Sequence, residues 1–159
     1  MPSFVQNGRG NVERRYVFIV LRWYILTSMR NKEWYAQLEK PTWAPPSTVF
    51  GPVWSFLYVL IAVSFGVVGA KLFKGEIPFI VALPFILNIL FNVLFTPLQF
   101  GLMSNKLAMI DIFLVLGTLV WAMIAIYPYA KWIAFIQTPY LLWVLFATVL
   151  QVSITILNK

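Results

Sequence analysis

Four stretches of this chain carry no charged side chain, and each is about as long as a bilayer crossing requires. They are Val49–Ala70 (22 residues), Ile77–Asn105 (29), Ile112–Ala130 (19) and Trp132–Asn158 (27). A helix rises ~1.5 Å per residue and needs ~20 apolar residues to cross a hydrocarbon core ~30 Å thick. Only helices and closed barrels satisfy their backbone polar groups in that medium. A barrel strand alternates apolar and polar residues over ~10 positions, and Phe79–Leu90 does not alternate. The chain is therefore read as an all-α integral membrane protein that passes the bilayer several times. Composition agrees, because only 11% of its 159 residues are charged, against ~25% in soluble domains.

The expected organisation is a polar, disordered segment over 1–15 followed by a single transmembrane bundle over 16–159. The approximate spans are 16–30, 47–73, 77–101, 107–127 and 132–157, which makes a five-helix bundle, with a loop over 31–46. The first span is atypical. Its apolar run, Tyr16–Met29, has 14 residues and contains Arg22. It would reach ~21 Å, and an arginine near the centre of a span costs ~2.5–3.5 kcal/mol. Two readings fit: a span lengthened by flanking residues with Arg22 snorkelling, or a helix lying in the interface. The short connections between later spans make neighbouring helices antiparallel. Arg9, Arg14, Arg15, Lys71, Lys74 and Lys131 then fall on one side, and Arg30, Lys32, Lys40, Lys106 and Lys159 on the other. Six against five leaves orientation undecided.

The chain has no cysteine, no histidine and five carboxylates. Disulfide, thiol and histidine-based catalysis are excluded, and no metal site is expected. The net charge of +7 is assigned to loops and lipid head groups rather than to nucleic acid. Within the spans, Asn88, Asn92, Thr96 and Gln99 fall at about 0°, 40°, 80° and 20° around a helix. This polar stripe is either interhelical hydrogen bonding or the polar part of a ligand site. Tyr140, Trp143, Ala147, Leu150 and Gln151 share one face of the last span, as do Phe50, Trp54, Leu57 and Tyr58 on the 47–73 span. Each face reads either as ordinary packing or as a pocket wall. Gly66 and Gly69 are candidates for close helix approach. Asp111, the one carboxylate inside a span, is read as structural.

The run WYAQLEKPTWAPPSTVFGPVW (34–54) closely resembles the signature of the translocator protein family. NVLFTPLQFG (92–101), Asp111 and PYLLWVLFATVL (139–150) resemble that family's third, fourth and fifth helices. Its bacterial members are called tryptophan-rich sensory proteins. The resemblance implies a five-helix bundle, usually a homodimer, in a lipid bilayer. It implies a cavity under the first loop that takes porphyrins such as protoporphyrin IX, certain synthetic drugs and, in some members, sterols. No cofactor is required. Carried over by position, Trp34 and Tyr35 stand at the cavity mouth. Phe50, Gly51 and Trp54 form one wall, Asn92 and Phe95 a second, and Trp143, Phe146, Ala147 and Leu150 a third. The implied function is binding of porphyrin-type tetrapyrroles for sensing or transport. One alternative is light- and oxygen-dependent porphyrin degradation through Trp34, Trp54 and Trp143. Another is a purely structural or partner-binding role. The chain departs from the family pattern at Phe95, where Trp is common, at Gln99, where Phe is frequent, and at Gln151, where Asn is common. The end of its last span also lacks the Tyr of the proposed cholesterol motif.

Overall fold

The computed structural model describes residues 33–159; the expected N-terminal tail over 1–15 and first span over 16–30 lie outside them. Residues 33–37 are helical and belong to a unit that ends at Leu38. This short helix falls inside the segment expected to be loop. It stops before Pro41, which biases its predecessor, Lys40, away from helical geometry. The second unit, Glu39–Lys159, is a helical bundle whose described residues contain four helical segments long and apolar enough to cross a membrane.

Proline and glycine set the ends of these segments. Pro46, with ψ 144°, leads into α1 (Ser47–Phe73). Gly75 then reverses the chain at φ +71°, a left-handed conformation that costs glycine little. At this turn Lys71 Nζ donates to Glu76 Oε2 at 2.6 Å. That hydrogen bond and the ammonium charge hold the Glu76 carboxyl below its ordinary range. α2 runs Phe79–Thr96. At Pro97 the α-helical ladder cannot continue, because proline has no N–H to give. The chain widens into a π-turn over Pro97–Gly101, closed by Leu102 N donating to Pro97 O at 2.9 Å. Met103 follows at φ 51°, and the Ser104 hydroxyl accepts from Leu107 N to cap α3 (Asn105–Ile126). The final span is two helices, α4 (Lys131–Ile136) and α5 (Thr138–Leu157), parted at Gln137. Pro139 accounts for the break, since it cannot donate to Phe135 O.

α3 is the central helix, packed along both α2 and α5, whereas α1 packs more sparsely. Alanines line the closest interfaces: Ala108 and Ala122 are fully buried and Ala82 nearly so. Without a methyl-sized residue at these positions, the backbones would be held further apart. Among the described residues, a Cβ added at Gly66 or Gly69 would meet nothing within 4 Å.

One chain of hydrogen bonds joins all four spans. Tyr58 on α1 donates to Asn92 Oδ1 on α2 at 3.4 Å. Asn92 Nδ2 donates to the Tyr140 hydroxyl on α5 at 2.9 Å, and Tyr140 donates to Asn88 Oδ1 at 3.1 Å. Asn88 Nδ2 in turn donates to Val115 O and Thr118 Oγ1 on α3, at 2.8 and 3.1 Å. Asn88 and Tyr140 are 1% and 0% exposed, so water cannot replace these partners. A second cluster ties the π-turn to α3 and α5: Gln151 Nε2 donates to Gln99 Oε1 and Asn105 O, and Gln99 Nε2 donates to Asn105 Oδ1. The polar stripe is thus interhelical hydrogen bonding at Asn88, Asn92 and Gln99. Thr96, at the stripe's edge, is exposed instead. Replacing Asn88 with Ala is expected to lower unfolding stability in detergent by about 1–2 kcal/mol, at ~0.6 kcal/mol or more per intramembrane bond. A denaturation midpoint unchanged from that of the parent protein would contradict this role.

Candidate functional site

The antiparallel order brings the start of α1, the end of α2, the start of α3 and the end of α5 to one side of the bundle. Every candidate site residue from Phe50 onward lies in that half. On α1, Phe50 and Trp54 are one turn apart and therefore on one face. Phe50 meets Trp143 of α5 edge-on, with ring centroids 5.7 Å apart, and Trp143 meets Phe146 at 5.4 Å. Trp54 lies 5.3 Å from Tyr58 and 6.4 Å from Tyr140. The two aromatic groups meet in one apolar cluster built on Leu57, Ile112, Val115, Leu119, Tyr140 and Val144. Trp54, Phe95, Trp143 and Ala147 pack against its outside.

Phe50, Trp54, Asn92, Phe95, Trp143, Phe146 and Ala147 are all half-buried, and Leu150 is buried. Trp54, Phe95, Trp143 and Ala147 share one cluster, Phe50 and Phe146 touch Trp143, and Asn92 reaches it through Tyr140. Gly51 is exposed, and a Cβ there would meet nothing within 4 Å among the described residues. Trp34 and Tyr35 occupy the helix 33–37, in the unit that ends at Leu38; the site described here is that of the bundle alone.

Two contributions were missed in the sequence. Trp43 lies 5.9 Å from Phe146, edge to face. This lays the segment preceding α1 against the aromatic group. Asn158 holds the other end of that segment: its Oδ1 accepts from Glu39 N at 3.0 Å, and its Nδ2 donates to Glu39 O at 2.9 Å. An amide side chain can satisfy an N–H and a C=O at once. The available signal was an asparagine just past the last apolar residue of a span. Residues 39–46 are thereby strapped across the α5 end of the site.

Two polar atoms in this half lack partners among the described residues. Asp111 is 3% exposed, and its Oδ2 is unbonded; the Trp143 Nε1 is also buried and unbonded. Asp111 lies on the buried stripe of α3 that also carries Ala108, Val115 and Thr118.

The TspO/MBR family pattern matches residues 16–157. The chain belongs to the TspO/MBR family. A tryptophan-rich protein TspO of Bacillus cereus is 34% identical over 128 residues, covering 80% of this chain and 82% of its own. The human translocator protein is 34% identical over 119 residues, covering 74% and 70%. An uncharacterized membrane protein, YtaB, of Bacillus subtilis is 34% identical over 129 residues, covering 80% and 82%. Family membership accords with the signature block at 34–54, which supplies both the strap and the first turns of α1. It also places the chain in a membrane.

The strap geometry carries a prediction. Replacing Asn158 with Ala removes the acceptor of the Glu39 amide, and hydrogen exchange at that amide is expected to accelerate about tenfold. Amides in the middle of α5 should be unaffected. Equal exchange at Glu39 in both proteins would show that the strap is held elsewhere.

Proposed function

We propose that this TspO/MBR-family membrane protein binds porphyrin-type tetrapyrroles and related flat apolar ligands between α1, α2 and α5, in sensing or transport. The observation that carries the reading is the convergence of Phe50, Trp54, Trp143 and Phe146 from two helices on one half-buried aromatic group. Indole and phenyl faces suit a large π system, and offset or edge contacts contribute ~0.5–1.5 kcal/mol each beyond area burial. Small-molecule sites are mostly apolar with a few placed polar groups. Here Asn92 is the polar group, held in position by Tyr58 and Tyr140. Phe95, Ala147 and Leu150 complete the walls. The ligand is bound rather than required as a cofactor. The functional unit is a homodimer in the bilayer.

A second reading is favoured by one feature: Trp54 and Trp143 lie in the same cluster. Two indoles beside an excited porphyrin would allow its oxidation by dioxygen in the light. A histidine base has no part in this, since histidine is absent.

Titrating protoporphyrin IX into the purified protein, with tryptophan fluorescence as readout, tests the binding. The Trp54→Phe/Trp143→Phe double variant is expected to bind about tenfold more weakly, for a loss of ~1.4 kcal/mol. Absorbance-detected binding of equal strength in both proteins would rule out these rings as the site. Irradiation of the complex in air separates the two readings: porphyrin lost no faster with protein than without it leaves binding alone.

A further inference from the structure

Asp111 of α3 is the one carboxylate on a described membrane-spanning helix. It is 3% exposed, and its Oδ2 has no hydrogen-bond partner among the described residues. Hydrogen bonds fix its level in the bundle. α2 is tied to α3 where Asn88 meets Val115 and Thr118, and again where Gln99 meets Asn105. α5 is tied to α3 where Gln151 and Thr155 meet Asn105 O. Counted from these ties along antiparallel helices, Asp111 stands within about one turn of Asn92 and Phe95 on α2 and of Ala147 and Thr148 on α5. The donors at that level are engaged elsewhere: Asn92 Nδ2 with Tyr140, Thr148 Oγ1 with Val144 O, and Gln151 Nε2 with Gln99 and Asn105. No charged side chain of the packed helices stands beside it. Glu39, Lys40, Lys106 and Lys159 lie at the strap end, and Lys71, Lys74, Glu76 and Lys131 at the other. The titratable groups between those ends are two phenols, Tyr58 on α1 and Tyr140 on α5.

A carboxylate left unpaired in a low-dielectric interior is costly, and protonating it leaves an unpaired O–H donor in its place. Acids inside a bilayer are rare for this reason and mark places where a charge is handled. The bundle supplies no partner, so the partner comes from outside it. We propose that Asp111 is the anionic half of a binding site for an organic ammonium: a protonated primary amine carried on a flat apolar body. An ammonium has three N–H donors and no acceptor, which suits a carboxylate whose neighbours offer it none, and a bond between two charged groups is stronger than a neutral one. Trp54 and Phe95 pack against the cluster that contains Ile112, the residue next to Asp111. Their rings would hold the apolar body, and ring faces attract a cation as well. An anionic ligand is repelled by Asp111 and gains nothing from it. This ligand class is therefore separate from the tetrapyrroles proposed above, although both use the same half of the bundle, and either reading can fail alone.

Two probes with one ring system test the charge: pyrenemethylamine, an ammonium at neutral pH, and pyrenemethanol, its neutral counterpart. Each is titrated into the full chain and into Asp111→Asn in the same detergent, with pyrene fluorescence as readout. Comparing the two proteins for each probe cancels the probes' different partitioning into micelles. Asp111→Asn is expected to weaken pyrenemethylamine about tenfold more than it weakens pyrenemethanol. Equal weakening of both marks Asp111 as a structural residue and overturns the proposal, as does no weakening of either. A second measurement needs no variant. Below the pH at which the amine loses its proton, the affinity of the unaltered protein for pyrenemethylamine should rise with pH as the Asp111 carboxyl ionises, while that for pyrenemethanol stays constant. The same pH response for both probes counts against the proposal. Protoporphyrin IX, titrated alongside, keeps the two readings apart. Protoporphyrin IX bound and pyrenemethylamine unbound removes the ammonium site alone, and the reverse removes the tetrapyrrole reading alone.

Discussion

Hydrocarbon offers no hydrogen-bond partner, so a polar side chain carried into the bundle is paired inside it or left at a cost. The chain Tyr58–Asn92–Tyr140–Asn88–Val115/Thr118 meets this demand by linking α1, α2, α5 and α3 in turn. Apolar packing in lipid has little directional preference, because a leucine gains little by leaving one hydrocarbon for another. The amide and phenol groups supply direction. Asn88 on α2 has one position along α3 at which it reaches both Val115 O and Thr118 Oγ1, and the Tyr140 hydroxyl then sets α5 against that pair.

The same network divides the bundle into two halves of different character. Towards the Gly75 and Tyr127 turns the core is aliphatic and phenylalanine-rich, with Ala82, Ala122 and Ala134 allowing close contact. There Gln137, at the break between α4 and α5, donates to Ser64 of α1. Towards the strap the large rings take over, and α1, the most sparsely packed span, contributes two of them. This half is hydrogen-bonded at its floor and aromatic above it. The floor fixes the positions of the rings, and the rings are not spent on closing the core. The strap over 39–46, held by Asn158 at one end and by Trp43 against Phe146 at the other, covers this half from outside the membrane-spanning segments.

Much of this was legible in the linear chain. Charge-free runs of 19 to 29 residues announce helices that cross a bilayer, because backbone polar groups leave no other option there. Turns were legible at Gly75 and Tyr127-Pro128, where charge or proline interrupts the apolar runs. The aromatic faces of α1 and α5 were legible as well, since a period of 3.6 residues places Phe50 with Trp54 and Trp143 with Ala147 on single faces. Less was legible where proline acts inside a span. The π-turn after Pro97 and the break at Gln137 depend on which hydrogen bonds the neighbouring helices can replace. Gly66 and Gly69 had the residue type for close approach, yet no described helix comes within 4 Å of a Cβ placed there.

The sequence by itself determined that this chain is a multi-pass helical membrane protein of the TspO/MBR type, because hydropathy over ~20 residues and a dense local motif depend on no distant contact. Only the tertiary structure decided the use of each polar and aromatic group. Asn88 and Asn92 look alike in one stripe, but the first is fully spent between helices while the second stands at the edge of the site. Trp43 and Trp143 are 100 positions apart, yet both pack on Phe146. Asn158 grips a backbone 119 residues away. Such pairings depend on which helices become neighbours and at what rotation. A local sequence window carries no record of this, because it follows from satisfying every buried donor and acceptor together.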